Sequence, residues 1–219
     1  MTERSEHPRL ARQVGAREGA AYNYEGERVM LRRDLAGILD VPSGELLVSD
    51  ARGRSDDVVA VRVPQGSYRT YVTSFRGEYA EVRQRITATV AVRLLETGGI
   101  TLAPLGAYAL TPPVEDPDDL EDDDLHFVGV EGPEVFLGDR QAWSEAPPID
   151  GGLGEGIADE VTLPGGSRAI RASSGLGIGG YPVFGGFDVN GDLAVVYVSF
   201  DMVFEGDAQP WMGENAAVT

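Results

Sequence analysis

Apolar and polar positions change their spacing at Val41-Pro42. Upstream, Val29, Met30, Leu31, Leu35, Ile38 and Leu39 recur at roughly helical intervals, and Pro42 stops continuation. The spacing predicts a packing helix over Glu27–Leu39, because residues three and four apart share a helix face. Residues 1–26 read as a flexible arm with one further short helix over Arg9–Arg17. Downstream the pattern becomes that of short strands between turns. Glu45–Ser49, Val58–Val63, Ser67–Phe75 and Val82–Leu95 are the clearest, and Ile100–Leu110 is a weaker one. In Val82–Leu95 the row Val82, Ile86, Ala88, Val90, Val92 and Leu94 alternates with Arg83, Arg85, Thr87, Thr89 and Arg93, with Gln84 interrupting the apolar row near its start. Period two of this kind predicts an antiparallel strand with one face buried and one wet.

The strongest local pattern lies in Gly175–Asp201. A glycine-rich approach leads into a strand over Tyr181–Phe187, a turn over Asp188–Asp192 and a second strand over Leu193–Phe200. Asn190-Gly191 between two apolar runs predicts a type I′ turn, whose two central positions need φ > 0. Leu193–Val198 is apolar without a break, so this strand is expected to be covered on both faces. A short helix over Asp139–Ala146 carries Trp143 and stops at Pro147-Pro148. The fold class this predicts is mostly β: antiparallel sheets forming a sandwich or partly open barrel, with one or two short N-terminal helices. The expected organisation is an arm over 1–26, a single domain over 27–204 and an acidic tail over 205–219.

Several turn-plus-strand units follow one another in a definite order. They are Val41-Pro42-Ser43-Gly44 running into a strand that ends at Asp50; Val63-Pro64-Gln65-Gly66-Ser67-Tyr68; a long strand pair over Tyr71–Phe75 and Val82–Leu95; Phe136-Leu137-Gly138-Asp139-Arg140-Gln141-Ala142; and Tyr181-Pro182 ahead of Gly186-Phe187-Asp188-Val189-Asn190-Gly191. Over roughly residues 41–203 this series resembles the bacterial domain of unknown function 4241 family. The resemblance implies an order of elements and no activity. Relatives often carry Asp-Gly where this chain has Gly179-Gly180, so any role of that Asp is missing here.

Charge is divided unequally. Residues 1–100 hold 15 Arg against 14 acidic residues, whereas residues 101–219 hold 3 Arg against 22, a net of −19 in a chain of net −18. All basic residues are Arg. A GC-rich genome or a salt-adapted proteome would produce this bias; the functional reading is an acidic face for a basic protein partner. Nucleic acid is disfavoured, because binding phosphates requires a basic footprint. The absence of cysteine excludes disulfides, thiolate metal sites and cysteine nucleophiles. No apolar window is long enough for a membrane helix and the charged N-terminus lacks an apolar signal core, so a cytoplasmic protein off the membrane is expected. Nothing in the sequence speaks to its oligomeric state.

Candidate chemistry is sparse, and no cofactor is expected. Gly175-x-Gly177-x-x-Gly180 has dinucleotide-fingerprint spacing, but a strand follows where the phosphate site needs a helix N-terminus. Asp188, Asn190 and Asp192 alternate as in a calcium loop, yet Leu193 and Ser199 stand where an EF-hand needs Gly and Glu. His126 has no second histidine at metal-ligand spacing, and no nucleophile-elbow sequence accompanies it. The ligand or interaction candidates are therefore Tyr181, Asp188, Asp192, Asp201, Gly177 and Gly180. The acidic run Glu115, Asp116, Asp118, Asp119, Glu121, Asp122, Asp123 and Asp124 reads as a solvated, self-repelling loop or an electrostatic contact. The leading functional expectation is a non-catalytic acidic binding protein, of inhibitor or immunity type. The alternatives are a small-ligand or divalent-metal protein or enzyme using the glycine-rich loop and the Asp188 hairpin, and an assembly component of a phage or secretion particle.

Overall fold

The computed structural model describes residues 10, 21–24, 27–53, 55–79, 82–113, 125–144, 152–153, 156–175 and 177–200. The strands are β1 (Ala21–Tyr24), β2 (Glu27–Met30), β3 (Arg32–Val41), β4 (Glu45–Asp50), β5 (Val59–Arg62), β6 (Gly66–Tyr79), β7 (Val82–Arg93), β8 (Thr101–Ala103), β9 (His126–Val130), β10 (Glu134–Asp139), β11 (Ala158–Thr162), β12 (Arg168–Ser173), β13 (Gly179–Phe187) and β14 (Leu193–Ser199). A 3-10 turn covers Gly106–Tyr108, and one short helix, α1, covers Arg140–Ser144. All pairings are antiparallel. One sheet runs β3-β6-β7-β14-β13-β8, with β9 also on β13; a second runs β11-β12-β10-β4-β5; β1 and β2 form a separate pair. Neither large sheet closes into a barrel.

The two large sheets enclose one apolar core. Leu39, Val72, Val90, Val92, Val183, Val196 and Val198 enter it from the first sheet, and Leu46, Val48, Val59, Val61, Val135, Leu137 and Ile170 from the second. The outer side of the first sheet is covered too, where Leu10 and Leu125 pack with Ala91, Phe184, Ala194, Val195 and Tyr197. This double coverage explains the unbroken apolar run of β14, every residue of which is buried between β7 and β13. It also corrects the expectation for β7. Thr87 and Thr89, on the row expected to be wet, are 0% and 1% exposed, and only Arg85 and Arg93 at the ends of the described row reach water.

The helix expected over Glu27–Leu39 is absent; β2 and β3 occupy it. The ladder of β3 on β6 passes from Leu35↔Tyr71 to Gly37↔Thr70, so Ala36 is an inserted residue. A bulge shifts a period-two row by one position, and a shifted row imitates helical spacing. Further upstream, Val29 and Leu31 are buried while Met30 between them is 71% exposed, the alternation of a strand. β1 pairs with β2 and falls inside the stretch expected as an arm. The expected helix over Arg9–Arg17 lies outside the described residues, apart from Leu10.

Ile100–Leu110 shrinks to the three residues of β8. Pro104 cannot continue a ladder, and Gly106 takes φ 55° as the chain enters the 3-10 turn. α1 appears within the expected span: the Asp139 carboxylate accepts the Ala142 N–H at 3.0 Å as its cap, and Trp143 stacks on Phe136 with centroids 4.0 Å apart.

Contacts join the two sheets along both long sides. On one side β3 crosses the second sheet at Gly37, where a Cβ would lie 2.9 Å from both Glu160 Oε2 and Ile170 Cδ1. Here the Ile38 N–H donates to Glu160 Oε2 at 2.8 Å, and Asp40 receives Arg168. On the other side the Gly129 N–H donates to Asp57 O, the Leu110 N–H donates to Ala60 O, and Val61 bridges Ala109.

Thr70 lies on β6 between the core residues Tyr68 and Val72, is wholly buried, and has no partner for its hydroxyl. An unsatisfied buried hydroxyl costs about 1–3 kcal/mol. Thr70→Val keeps the shape and removes that cost. We expect the variant to be more stable by about 1 kcal/mol in urea unfolding; an unchanged or lower midpoint would show that the hydroxyl has a partner after all.

Candidate functional site

The glycine-rich approach to β13 is a packed turn. Gly175 and Gly177 take φ 71° and 113°, which side chains resist. The carbonyl of Gly177 accepts the Ser174 hydroxyl at 2.9 Å and the Tyr181 hydroxyl at 2.8 Å. Tyr181 is buried in the interlayer core and meets Phe200 edge-on. Gly180 is extended backbone within β13, paired to Gly129. The loop is thus tied down through the Gly177 carbonyl, and a strand follows where a phosphate site needs the N–H groups of a helix N-terminus.

The Asp188 turn sits at the other end of β13. Tyr181 and Asp188 are separated by about 23 Å of extended chain, at roughly 3.3 Å per residue. The two groups of candidates therefore share no site. Asp201 lies outside the described residues. The turn differs from the expected type I′ pair: Gly191 N–H donates to Asp188 O, Asp188 N–H donates to Asp192 O, and Gly191 alone of the loop glycines takes φ 84°. This is a three-residue loop, Val189–Gly191, of the kind built on a type I turn followed by a left-handed glycine. The Asp188 side chain selects it by accepting the Asn190 N–H at 2.8 Å and the Asp192 N–H at 3.0 Å. These bonds, that of Asp192 foremost, hold the carboxyl below its ordinary range. Its oxygens serve the turn, and among the described residues no group of three or more acidic or histidine side chains is placed to hold a metal ion.

The buried charges the sequence reading did not single out are likewise committed to the fold. Asp50 accepts the N–H groups of Arg52, Glu131 and Gly132. Asp139 accepts the Ser43 N–H as well as capping α1. Glu134 accepts the Leu153 N–H and lies 3.6 Å from Arg171, whose guanidinium grips Asp159 through Nε and Nη2. His126 Nε2 lies 3.0 Å from the carbonyl of Thr111. Residues of the turn-plus-strand units are committed to the fold as well. Gly44 turns with φ 81°, the Tyr68 hydroxyl donates to the Pro64 carbonyl, and Asp50 and Asp139 organise loops.

Charge placement is the distinctive property that remains. The second half of the chain has only Arg140, Arg168 and Arg171. Arg140 pairs with Glu45 and Arg168 with Asp40, both in the first half; among the described residues Arg171 is the arginine paired with second-half carboxylates. The acidic run 115–124 lies outside the described residues. No family model matches the chain, and no curated protein or solved structure is similar to it.

Asp40 is the ion pair with the clearest titration. Arg168 donates to it through Nε, Nη2 and the backbone N–H, and the Ser67 hydroxyl adds a fourth bond at 2.6 Å. The guanidinium foremost holds the carboxyl well below the usual range. A depressed folded-state value adds stability above the unfolded pKa of about 3.9, and that stability is lost as pH falls through the folded value. Asp40→Asn is expected to melt several degrees lower at pH 7, with the gap to wild type closing as pH falls below about 4. A gap that stays constant down to the acid limit would mean that the pair contributes no charge-dependent stability.

Proposed function

We propose that the protein is a non-catalytic binding protein that meets a basic protein partner with its acidic second half. One observation carries the reading: the cations of that half are few, and two of the three neutralise carboxylates of the first half. On this reading the formal charge of −19 over residues 101–219 gives the protein a negative field. Such a field steers a basic partner into encounter and suppresses acidic ones. Inhibitors of basic enzymes or toxins use this chemistry, and that class of partner fits best. The commitment of the buried Asp50, Glu134, Asp139 and Arg171 to loop and sheet contacts is in keeping with a binding role.

The test is affinity capture from native lysate at low and moderate salt, with the wild-type chain and with a variant carrying Asn and Gln in place of the Asp and Glu residues of 115–124. The variant should melt at the same or a slightly higher temperature at low salt, since self-repulsion falls. Wild type is expected to retain a protein of basic isoelectric point, with slower association for the variant and weaker retention in salt. Retention of no basic protein, or of one indifferent to both salt and the substitutions, would overturn the proposal.

A further inference from the structure

β11 ends the five-stranded sheet, and no described strand pairs with its outer side. Its ladder with β12 fixes which backbone groups face outward. Ile157 O accepts from the Ser173 N–H just before the strand, and the Leu163 N–H donates to Ser167 O just after it. Antiparallel pairs alternate between bonded and non-bonded positions. Asp159 and Val161 therefore direct their backbone groups to β12, and Ala158, Glu160 and Thr162 direct theirs outward. Those three present a short row of N–H donors and C=O acceptors in strand geometry.

The side chains flanking this row are acidic on both faces of the sheet. Glu160 lies opposite Ile170 on the inner face, is exposed, and reaches Ile38. Asp159 lies opposite Arg171 on the outer face with its side chain 40% exposed, and its carboxylate is held by that guanidinium, so the uncompensated charge beside the row is that of Glu160. An open edge invites pairing with another strand, and charge on it decides which strands are admitted. A second copy of β11 would set Asp159 and Glu160 against the same residues, and like charges at adjoining cross-strand positions are unfavourable. A strand with Lys or Arg on alternate positions meets the opposite situation.

We propose that β11 is a strand-addition site for an extended, basic segment of a partner protein. The site rests on the reading that the partner is basic and adds where and how it docks. Backbone bonds to Ala158, Glu160 and Thr162 give the alignment, and the Glu160 carboxylate, which accepts only a neutral N–H within the protein, selects cationic side chains on its face.

The probe is a short labelled peptide of alternating Val and Lys at low salt, with peptides of alternating Val and Glu and of alternating Gly and Lys as controls. Binding is read by fluorescence anisotropy, and the amides of Ala158, Glu160 and Thr162 by hydrogen exchange. Ala158→Pro and Thr162→Pro each remove one outward N–H and leave the bonds to β12 in place. The expected result is binding of the Val–Lys peptide, protection of the three amides, weaker binding of both controls, and a loss of about tenfold in either proline variant. If the Val–Lys peptide binds but the three amides stay unprotected, or neither folded proline variant weakens it, the edge is not the site, while the basic-partner reading stands on the capture experiment. If the Val–Lys peptide does not bind at all, the site is overturned, and capture of a basic protein remains the separate test of the broader reading. Should the proline variants melt out, amide protection in the wild-type chain decides.

Discussion

Carboxylates from both sheets reach across the side where β3 crosses the second sheet. Asp40, on β3, takes the guanidinium and the backbone N–H of Arg168 on β12; Glu160, on β11, takes the backbone N–H of Ile38 on β3. Gly37 leaves room for the crossing, since a side chain there would press on the ends of Glu160 and Ile170. Close approach removes water from these polar groups, and groups deprived of water must find partners within the protein. The carboxylates meet that requirement at the crossing, so the apolar faces of the two sheets can close over one core there. The opposite side meets the same need with backbone bonds from Gly129 and Leu110.

The same economy of charge separates inside from outside. The buried Asp50, Glu134, Asp139 and Arg171 all sit where a loop or a sheet layer would otherwise hold unsatisfied N–H groups or an unpaired ion. Ion pairs of the second half consume its few cations, partly on behalf of the first half. The surplus of acid itself is set by composition, 3 Arg against 22 acidic residues over residues 101–219. Charge exposed to water acts over a distance set by screening, about 8 Å at physiological ionic strength.

Local chemistry was legible wherever one residue governs its own turn. The hairpin over β13 and β14 could be read from its apolar runs and from Asn190-Gly191, yet its loop is one residue longer than expected because Asp188 accepts two backbone N–H groups of the loop and its closing residue. The strands β9 to β12 were not recognised. β10 is wholly buried and ends in Gly-Asp, while β11 is acidic and half-exposed, so neither shows a clean alternation. The candidate residues Tyr181 and Asp188 are near in sequence, but extension of β13 sets them at its opposite ends.

The sequence by itself determined that this chain folds as strands joined by glycine- and proline-bearing turns, that β14 is covered on both faces, and that charge is concentrated in the second half. These follow from side-chain periodicity, turn preferences and formal charge, all of which are local. Tertiary structure decided that Glu27–Leu39 is extended, because pairing of β3 with β6 across the bulge at Ala36, and of β2 with β1, satisfies its backbone where a helix would have satisfied its own. It decided that Thr87 and Thr89 are buried, because the sheet carrying them is covered on its outer side. It also decided which carboxylates serve the fold and which face water, since Asp40 and Arg168 are 128 residues apart in the chain and meet only when the two sheets do.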